Sequence, residues 1–326
     1  MKYSEAINLA ILHSMQANEK MLVLGQGVWS PFYVGQTMDG IEQAFGRHRV
    51  IDTPVSENAI TGIALGAAIA GSTTLVIHPR MDFMILAMDP IVNAAAKWRY
   101  ALDWPSAIPL TIRTIINRGG EQGAQHSQSL QSWFTHIPGL RVAMPSNPQD
   151  AYYLLRSCID SPDPCIFVED RWDYSQEEDF VVTEEIPILK NVGPKILKNG
   201  SDLTLVSYGH AVNQCLEAAQ ILQNKGIEVE VIDLRILSPM SLEMVYESVL
   251  KTGKLAVVEE TWAPSSVGSE VLSKVSENVF SALRKEPLRI NLPFTPAPTS
   301  PKLEERFYFS AEYLAQEISQ KYQSNP

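Results

Sequence analysis

Short apolar runs alternate with amphipathic segments along the first half of the chain. Runs at 21–25, 73–77 and 108–116 have the length and apolar content of buried strands. Between them, apolar residues recur three or four positions apart, which predicts helices. Strands that alternate with helices in this way are typical of a parallel sheet covered on both faces. The pattern therefore predicts an α/β fold.

A second alternation of the same kind begins near residue 203, after a polar and acidic stretch. We therefore predict three regions: a first domain over 1–170, an irregular linker over 171–200 and a smaller α/β domain over 201–326. Within the first domain, Ser4 and Ser56 are predicted helix caps, and one continuous helix is predicted over 83–100.

Composition narrows the class of protein. The chain has 326 residues, 45% of them hydrophobic, and a net charge of −11. A strongly acidic chain is a poor partner for nucleic acid, which needs clustered Lys and Arg. The longest uncharged run, 59–71, is too short to cross a membrane, and no targeting segment is visible. Three cysteines without a CxxC pair argue against disulfides or zinc. We expect a cytoplasmic protein.

Two polar residues are candidates for proton chemistry. Glu57 follows Ser56 at the start of an apolar, small-residue helix. It is either a first-turn acid that the helix dipole stabilises or a buried carboxyl that handles a proton. His126 lies in the glycine-rich 119–129 loop, where it is either a structural residue or a general acid/base on a loop.

The segment that follows the 73–77 strand has two further possible roles. Phe83 is either a core anchor or an aromatic wall for a flat ring. His78 and Arg80 come at the carboxyl end of a strand, the side on which open α/β sheets bind ligands. A cation there can meet an anionic substrate, and a surface turn is the alternative.

Several segments together resemble one protein family, the beta subunits of thiamine-diphosphate-dependent 2-oxo acid dehydrogenases. The family reads IDTPISE, DQIINSAAK, QHSQ, PGLKV, VIDLR and VVEEGW…GVGAE in this order. The matching segments here are 51–57 (IDTPVSE), 89–97 (DPIVNAAAK), 125–128 (QHSQ), 138–142 (PGLRV), 231–235 (VIDLR), and 257–262 (VVEETW) with 267–270 (VGSE).

The resemblance implies a pyrimidine-binding domain, a transketolase-type C-terminal domain and three site residues. Glu57 matches the acid that protonates the aminopyrimidine ring of thiamine diphosphate, and Phe83 matches the aromatic that stacks on that ring. His126 matches the loop histidine associated with acyl transfer to a lipoyl group. The implied reaction is decarboxylation of a 2-oxo acid such as pyruvate or a branched-chain analogue.

The resemblance also implies metals and partners. The chain lacks the Gly-Asp-Gly segment with paired asparagines that holds magnesium and diphosphate, so an alpha subunit would supply that half of the site in an α2β2 assembly. A lipoylated acyltransferase would be a further partner. A structural potassium would bind backbone carbonyls in the segment that includes Leu110, Cys158, Ile159 and Asp163.

Two segments depart from the family and leave the reaction open. The family reads EFMTFNF where this chain has IHPRMDF at 77–83, and it has a longer loop where this chain has NRGGEQG at 117–123. An alternative is therefore a transketolase-like or acyloin-forming ligase with an aldehyde or sugar acceptor. A scaffolding subunit without catalysis is a third hypothesis, which the presence of Glu57, Phe83 and His126 together disfavours.

Overall fold

The computed structural model describes residues 1–119 and 122–323. Gly120 and Glu121, which belong to the predicted glycine-rich loop, therefore lie outside the described residues. The chain divides into two compact units. Unit 1 comprises Met1–Arg118 and Gln125–Val192, and unit 2 comprises Gly119–Ala124 and Gly193–Pro326. Both units are α/β, as the alternating pattern predicts.

Unit 1 is built from short strands and helices in alternation. Its strands are β1 (Met21–Gly25), β2 (Val50–Asp52), β3 (Thr73–His78), β4 (Leu110–Ile116), β5 (Arg141–Ala143) and β6 (Cys165–Asp170). Its helices are α1 (Tyr3–Ala17), α2 (Ile41–Phe45), α3 (Glu57–Ile69), α4 (Met81–Met84), α5 (Ala96–Ala101), α6 (Gln131–Thr135) and α7 (Pro148–Ile159).

The six strands of unit 1 pair in the order β5-β6-β4-β3-β1-β2, and every pair is parallel. All seven residues of β4 are buried, including Arg113, because a central parallel strand has helices over both faces. Arg113 is neutralised there by an ion pair with Glu169 on β6. Because the strands are parallel, the residues that follow β1, β3, β4 and β6 leave the sheet at one edge.

The structure differs from the predicted helices in three places. The segment 83–100 is not one helix: Ile85–Ala87 is a 3₁₀ turn and Asp89–Ala95 a π-helix before α5 begins. Pro90 in this segment lacks the N–H that a regular α-helix needs, which accounts for the change of helix type. Helix α1 begins at Tyr3 with Lys2 as its cap residue, and Ser56 stands at the cap position of α3 without a side-chain hydrogen bond.

Unit 2 has a five-stranded sheet in the order β12-β11-β8-β9-β7, parallel except for the β7–β9 pair. The strands of this sheet are β7 (Lys195–Lys198), β8 (Leu203–Ser207), β9 (Val229–Asp233), β11 (Leu255–Trp262) and β12 (Leu288–Leu292), and the short strand β10 (Ile236–Ser238) lies outside it. Its helices are α8 (Ala211–Gln223), α9 (Glu243–Thr252), α10 (Val267–Val279), α11 (Pro301–Phe307) and α12 (Ala311–Gln323). Strand β7 lies within the stretch that sequence analysis read as irregular.

The core of unit 2 forms where α8 and α12 pack on the sheet. Residues from these two helices and from β8, β9 and β11 make one buried cluster. Cys158, Cys165 and Cys215 are free and buried. Across the described ranges, no helix is both long and apolar enough to cross a membrane.

Candidate active site

Glu57 begins α3 and is almost fully buried, with 5% of its surface exposed. Its carboxyl Oε1 accepts one hydrogen bond, from the amide Nε2 of Gln26 at 2.9 Å. Gln26 directly follows β1, so the end of that strand brings the amide to the helix. Within residues 1–119 and 122–323, the second oxygen, Oε2, has no hydrogen bond. A buried carboxyl with one uncommitted oxygen can exchange a proton with a ligand.

His78 ends β3 and lies close enough to Glu57 for the two charges to interact. Its Nε2 is 3.0 Å from the hydroxyl of Thr61 on α3, and the ring is 1% exposed. Burial lowers the pKa of His78 to about 4, and the Glu57 carboxylate opposes that shift. His78 is therefore neutral at pH 7 and adds no positive charge beside Glu57.

Phe83 and His126 meet as an edge-to-face pair. Phe83 lies on α4, two residues beyond Met81, and its ring centroid is 5.4 Å from that of His126 with 76° between the planes. The two residues are 43 positions apart in the sequence, so the fold alone brings them together. Both are half-buried, which leaves their polar and aromatic surfaces partly accessible.

The loop that carries His126 is fastened to α4 by a buried aspartate. Asp82 Oδ1 accepts hydrogen bonds from the side chain and the backbone N–H of Gln128, at 2.9 and 3.3 Å. Burial raises the pKa of Asp82, while the bonds from Gln128 and the charge of His126 oppose that shift. These contacts hold the imidazole beside Phe83, two residues away from the anchoring glutamine.

The four residues of the predicted potassium segment lie on neighbouring elements. Leu110 begins β4, Cys158 and Ile159 end α7, and Asp163 comes just before β6. The side chain of Asp163 is not available to a metal, because Arg99 and Arg141 both pair with it. Two of the backbone carbonyls already accept two bonds each. That of Cys158 accepts from the N–H groups of Asp160 and Ser161, and that of Asp163 accepts from the Ser161 hydroxyl and the Cys165 thiol.

A cavity of about 400 Å³ opens beside this segment. It is lined by Arg141, Ser157, Asp160, Ser161, Pro162, Asp163, Ile186, Pro187, Ile188, Leu189 and Lys190. In the described part of the chain, no cluster of three or more His, Cys, Asp or Glu side chains could hold a metal ion. Any cation in this segment would therefore depend on backbone oxygens, as a carbonyl site does.

Sequence reasoning missed three contributors to the site. It did not identify Gln26 as the partner of Glu57, Asp82 as the anchor of the His126 loop, or the contact of His78 with α3. One signal was present: Gln26 and His78 stand at the carboxyl ends of parallel strands, where ligand sites form. Their individual partners depend on packing that a spacing pattern does not encode.

Two family descriptions match the chain and define its class. "Transketolase, pyrimidine binding domain" matches residues 1–176, and "Transketolase, C-terminal domain" matches residues 194–314. A solved structure titled "Split gene transketolase, inactive beta4 tetramer" superposes with a TM-score of 0.79 at 19% identity and covers 99% of this chain and 98% of that one. The chain is thus a two-domain transketolase-like protein.

Sequence relatives identify the family within this class. The beta subunit of acetoin:2,6-dichlorophenolindophenol oxidoreductase from Bacillus subtilis is 36% identical over 93% of this chain and 92% of its own length. The beta subunit of the pyruvate dehydrogenase E1 component from Rhizobium meliloti is 38% identical over 94% of this chain and 66% of its own length. The chain belongs to the family of E1 beta subunits of thiamine-diphosphate-dependent 2-oxo acid dehydrogenases.

Membership of this family carries three consequences. The chain is a subunit of an enzyme. Because the enzymes of this family depend on thiamine diphosphate, membership implies that cofactor. A beta subunit of a heteromeric E1 component also implies an alpha partner. The resemblance read from the sequence motifs is confirmed.

Proposed function

We propose that this chain is the beta subunit of an enzyme that decarboxylates a 2-oxo acid, pyruvate or a branched-chain analogue, and transfers the acyl group to a lipoyl carrier. The observation that supports this proposal most strongly is the environment of Glu57. Glu57 is almost fully buried, accepts one hydrogen bond at Oε1 and leaves Oε2 available to a ligand. Such a carboxyl can share a proton with the ring nitrogen of an aminopyrimidine.

In this proposal Glu57 holds a proton at Oε2 and shares it with the aminopyrimidine ring of thiamine diphosphate. Gln26 orients the carboxyl through Oε1 and so leaves Oε2 pointing to the ligand. His78 is neutral at pH 7 and adds no positive charge beside Glu57. Thiamine diphosphate, when bound, supplies the carbon nucleophile and electron sink that decarboxylation needs.

Phe83 and His126 have separate roles. The aromatic ring of Phe83 provides an apolar surface for the flat pyrimidine ring. An imidazole accepts and donates protons in the physiological pH range, so His126 serves as the acid/base that assists acyl transfer. Its position beside Phe83, fixed through Gln128 and Asp82, supports that assignment.

Two metals belong to the proposal. Magnesium and the diphosphate are assigned to the alpha subunit, because this chain lacks the Gly-Asp-Gly segment for them. Potassium is assigned to the backbone carbonyls of Leu110, Cys158, Ile159 and Asp163. The end of α7 supports this, since the last carbonyls of a helix lack intrahelical partners.

The assembly we propose is an α2β2 heterotetramer in the cytoplasm, with residues 1–170 as the pyrimidine-binding domain, 171–200 as a linker and 201–326 as the C-terminal domain. A lipoylated acyltransferase component is the acceptor.

A second reaction deserves a test because one relative is a subunit of an oxidoreductase that is named for acetoin. Acetoin is an acyloin, and a thiamine-diphosphate site can cleave or form the carbon–carbon bond of an acyloin. The departures from the family at 77–83 and 117–123 include or closely precede, in the sequence, the site residues Phe83 and His126, and they favour a changed acceptor.

The deciding experiment is a product assay on this chain expressed with its alpha subunit. The reconstituted enzyme receives thiamine diphosphate, magnesium and either pyruvate or a branched-chain 2-oxo acid. One tube contains a lipoyl domain and another contains aldehydes, sugars and acetoin, and mass spectrometry detects the products. Acylated lipoyl domain establishes the dehydrogenase, whereas carbon–carbon adducts or acetoin cleavage without lipoyl acylation would replace it with the second reaction. The Glu57→Gln assembly is the control without proton transfer.

A further inference from the structure

Two arginines lie at the carboxyl edge of the unit 1 sheet and have no acidic partner among the described residues. Arg80 stands between β3 and α4, and Arg171 directly follows β6. Arg171 lies close enough to Arg80 for their charges to repel, so two guanidinium groups share one side of the sheet edge. The reaction proposed above assigns no role to either residue.

Neither guanidinium is satisfied by the protein around it. Arg80 Nη1 donates to the carbonyl of its own neighbour Pro79 at 2.7 Å, and the Arg171 guanidinium lies over the Tyr174 ring at 5.2 Å. The Nε of Arg80 and the Nη1 of Arg171 are buried and bond to no atom of the described residues. Buried donors without acceptors destabilise a fold, and a bound anion would supply the acceptors that these two donors lack.

The two acidic residues that directly precede Arg171 are committed elsewhere. Asp170 pairs with Arg118, and Glu169 pairs with Arg113 while also accepting from the Tyr174 hydroxyl. Burial lowers the pKa of Arg80, and the charge of Arg171 lowers it further. Asp82 opposes that shift less than the hydroxyls of Tyr33 and Tyr174 do. Neither arginine forms an ion pair with an acidic residue of the described ranges, and the charge of Asp82 compensates that of Arg80 only in part.

The loop before α2 closes tightly over this pair. Gly35 has φ +65°, and a Cβ built there would stand 2.5 Å from the Tyr174 ring and 3.1 Å from the Arg171 guanidinium carbon. Only glycine fits this backbone and this contact. The loop thereby brings Tyr33 close enough to Arg80 to raise the pKa of the arginine.

We infer that Arg80 and Arg171 form a binding site for an oxyanion, the carboxylate or phosphate group of a small molecule. Guanidinium groups bind both groups through paired N–H bonds, and two of them neutralise a doubly charged anion. The site does not depend on the proposed reaction, because the residues that handle the proton there are Glu57 and His126.

Thermal unfolding in the presence of inorganic phosphate or succinate tests this site. Each anion is compared with sodium chloride at equal ionic strength, both for the chain alone and for its assembly with the alpha subunit. At about ten times the dissociation constant, phosphate or succinate should raise the unfolding midpoint by about 3 °C. Calorimetric titration with the same two anions checks the dissociation constant.

Variants separate a specific site from general salt effects. Arg80→Gln and Arg171→Gln should each abolish the shift. Lys97→Gln, which removes an exposed cation elsewhere in unit 1, should retain it. Arg171→Lys keeps the charge without the paired donors and should weaken binding about tenfold, which provides a test should Arg171→Gln fail to fold.

Each outcome bears on the inference. A shift in both the free chain and the assembly, lost in the arginine variants, supports it, and the more effective anion identifies the chemical group. A shift that disappears on assembly would overturn the small-molecule ligand, because a carboxylate of the partner chain then occupies the site. An equal shift in wild type and Arg171→Gln, or no shift at all, would also overturn it.

Discussion

Two buried glutamates, one in each unit, show how a carboxyl is kept for chemistry or committed to structure. Glu57 begins α3 in unit 1, and Glu259 lies on β11 in unit 2. They are 5% and 1% exposed, so burial alone does not distinguish them. The number of hydrogen bonds does: Glu57 accepts one, whereas Glu259 accepts four.

The partners of Glu259 occupy both of its oxygens. Oε1 accepts from the Tyr208 hydroxyl at 2.9 Å and the Gly268 N–H at 2.7 Å, and Oε2 accepts from Ser266 at 2.6 Å and Asn291 at 3.1 Å. Gly268 has no room for a side chain, since a Cβ there would stand 2.3 Å from Oε2. A carboxylate bonded in this way links β8, α10 and β12 to its own strand and has no capacity for a ligand.

The comparison teaches that unused bonding capacity, more than burial, marks a reactive carboxyl. Glu57 Oε2 accepts no hydrogen bond from the described residues and so retains the capacity to bond a ligand, whereas both oxygens of Glu259 are occupied. Both glutamates fall in family-like segments, IDTPVSE and VVEETW, and neither segment reveals which residue is saturated. Three measurements test the distinction.

The largest effect is expected from Glu57→Gln. The amide still accepts a bond from Gln26 but cannot supply the proton, so turnover should fall at least 100-fold while the free energy of unfolding changes by less than about 1 kcal/mol. Steady-state turnover of the reconstituted enzyme and a denaturant titration measure the two quantities. Turnover within tenfold of wild type would remove Glu57 from the reaction.

The matched substitution Glu259→Gln should behave in the opposite way. An amide NH₂ faces donors where an oxygen stood, and several charge-assisted bonds are lost together. We therefore expect a loss of about 3 kcal/mol in the free energy of unfolding of unit 2, with the turnover of the folded fraction reduced less than twofold. Denaturant titration by circular dichroism measures this. If stability is unchanged but activity is lost, the contrast between the two glutamates fails.

A smaller effect, on the pH dependence of stability, is expected from the substitution of His78, the neutral residue beside Glu57. Its folded pKa of about 4 lies below the unfolded value of about 6.5, so the unfolded chain binds the extra proton and stability falls as pH drops through this window. From pH 7.5 to pH 5 this contribution is about 2 kcal/mol. His78→Phe should lose that part of the pH dependence.

Denaturant titrations of wild type and His78→Phe at both pH values provide the measurement. The free energy of unfolding falls between the two pH values in each protein, and the two losses are compared. Other groups titrate equally in both proteins, so the difference between the losses reports on His78. Identical losses in the two proteins would show that His78 is not held neutral by burial.

The site was predictable from the sequence only in part. The motifs named Glu57, Phe83 and His126 as candidates, and the spacing of the QHSQ and IHPRMDF segments placed them on separate loops and helices. The sequence did not predict the roles of Gln26, Asp82 and the Arg80–Arg171 pair. Each role depends on a contact with a residue that is distant in the sequence. Helix type in the 83–100 segment was also missed, since periodicity alone does not distinguish a π-helix from an α-helix.

The sequence by itself determined the alternation of strands and helices, the two α/β units and the family, because apolar periodicity and local motifs are properties of neighbouring residues. Only the tertiary structure decided which buried polar groups are satisfied. Parallel strands bring residues tens of positions apart to one sheet edge, and their hydrogen bonds there leave Glu57 Oε2 uncommitted and Glu259 saturated. Hydrogen bonding is set by three-dimensional contact, which no linear pattern records.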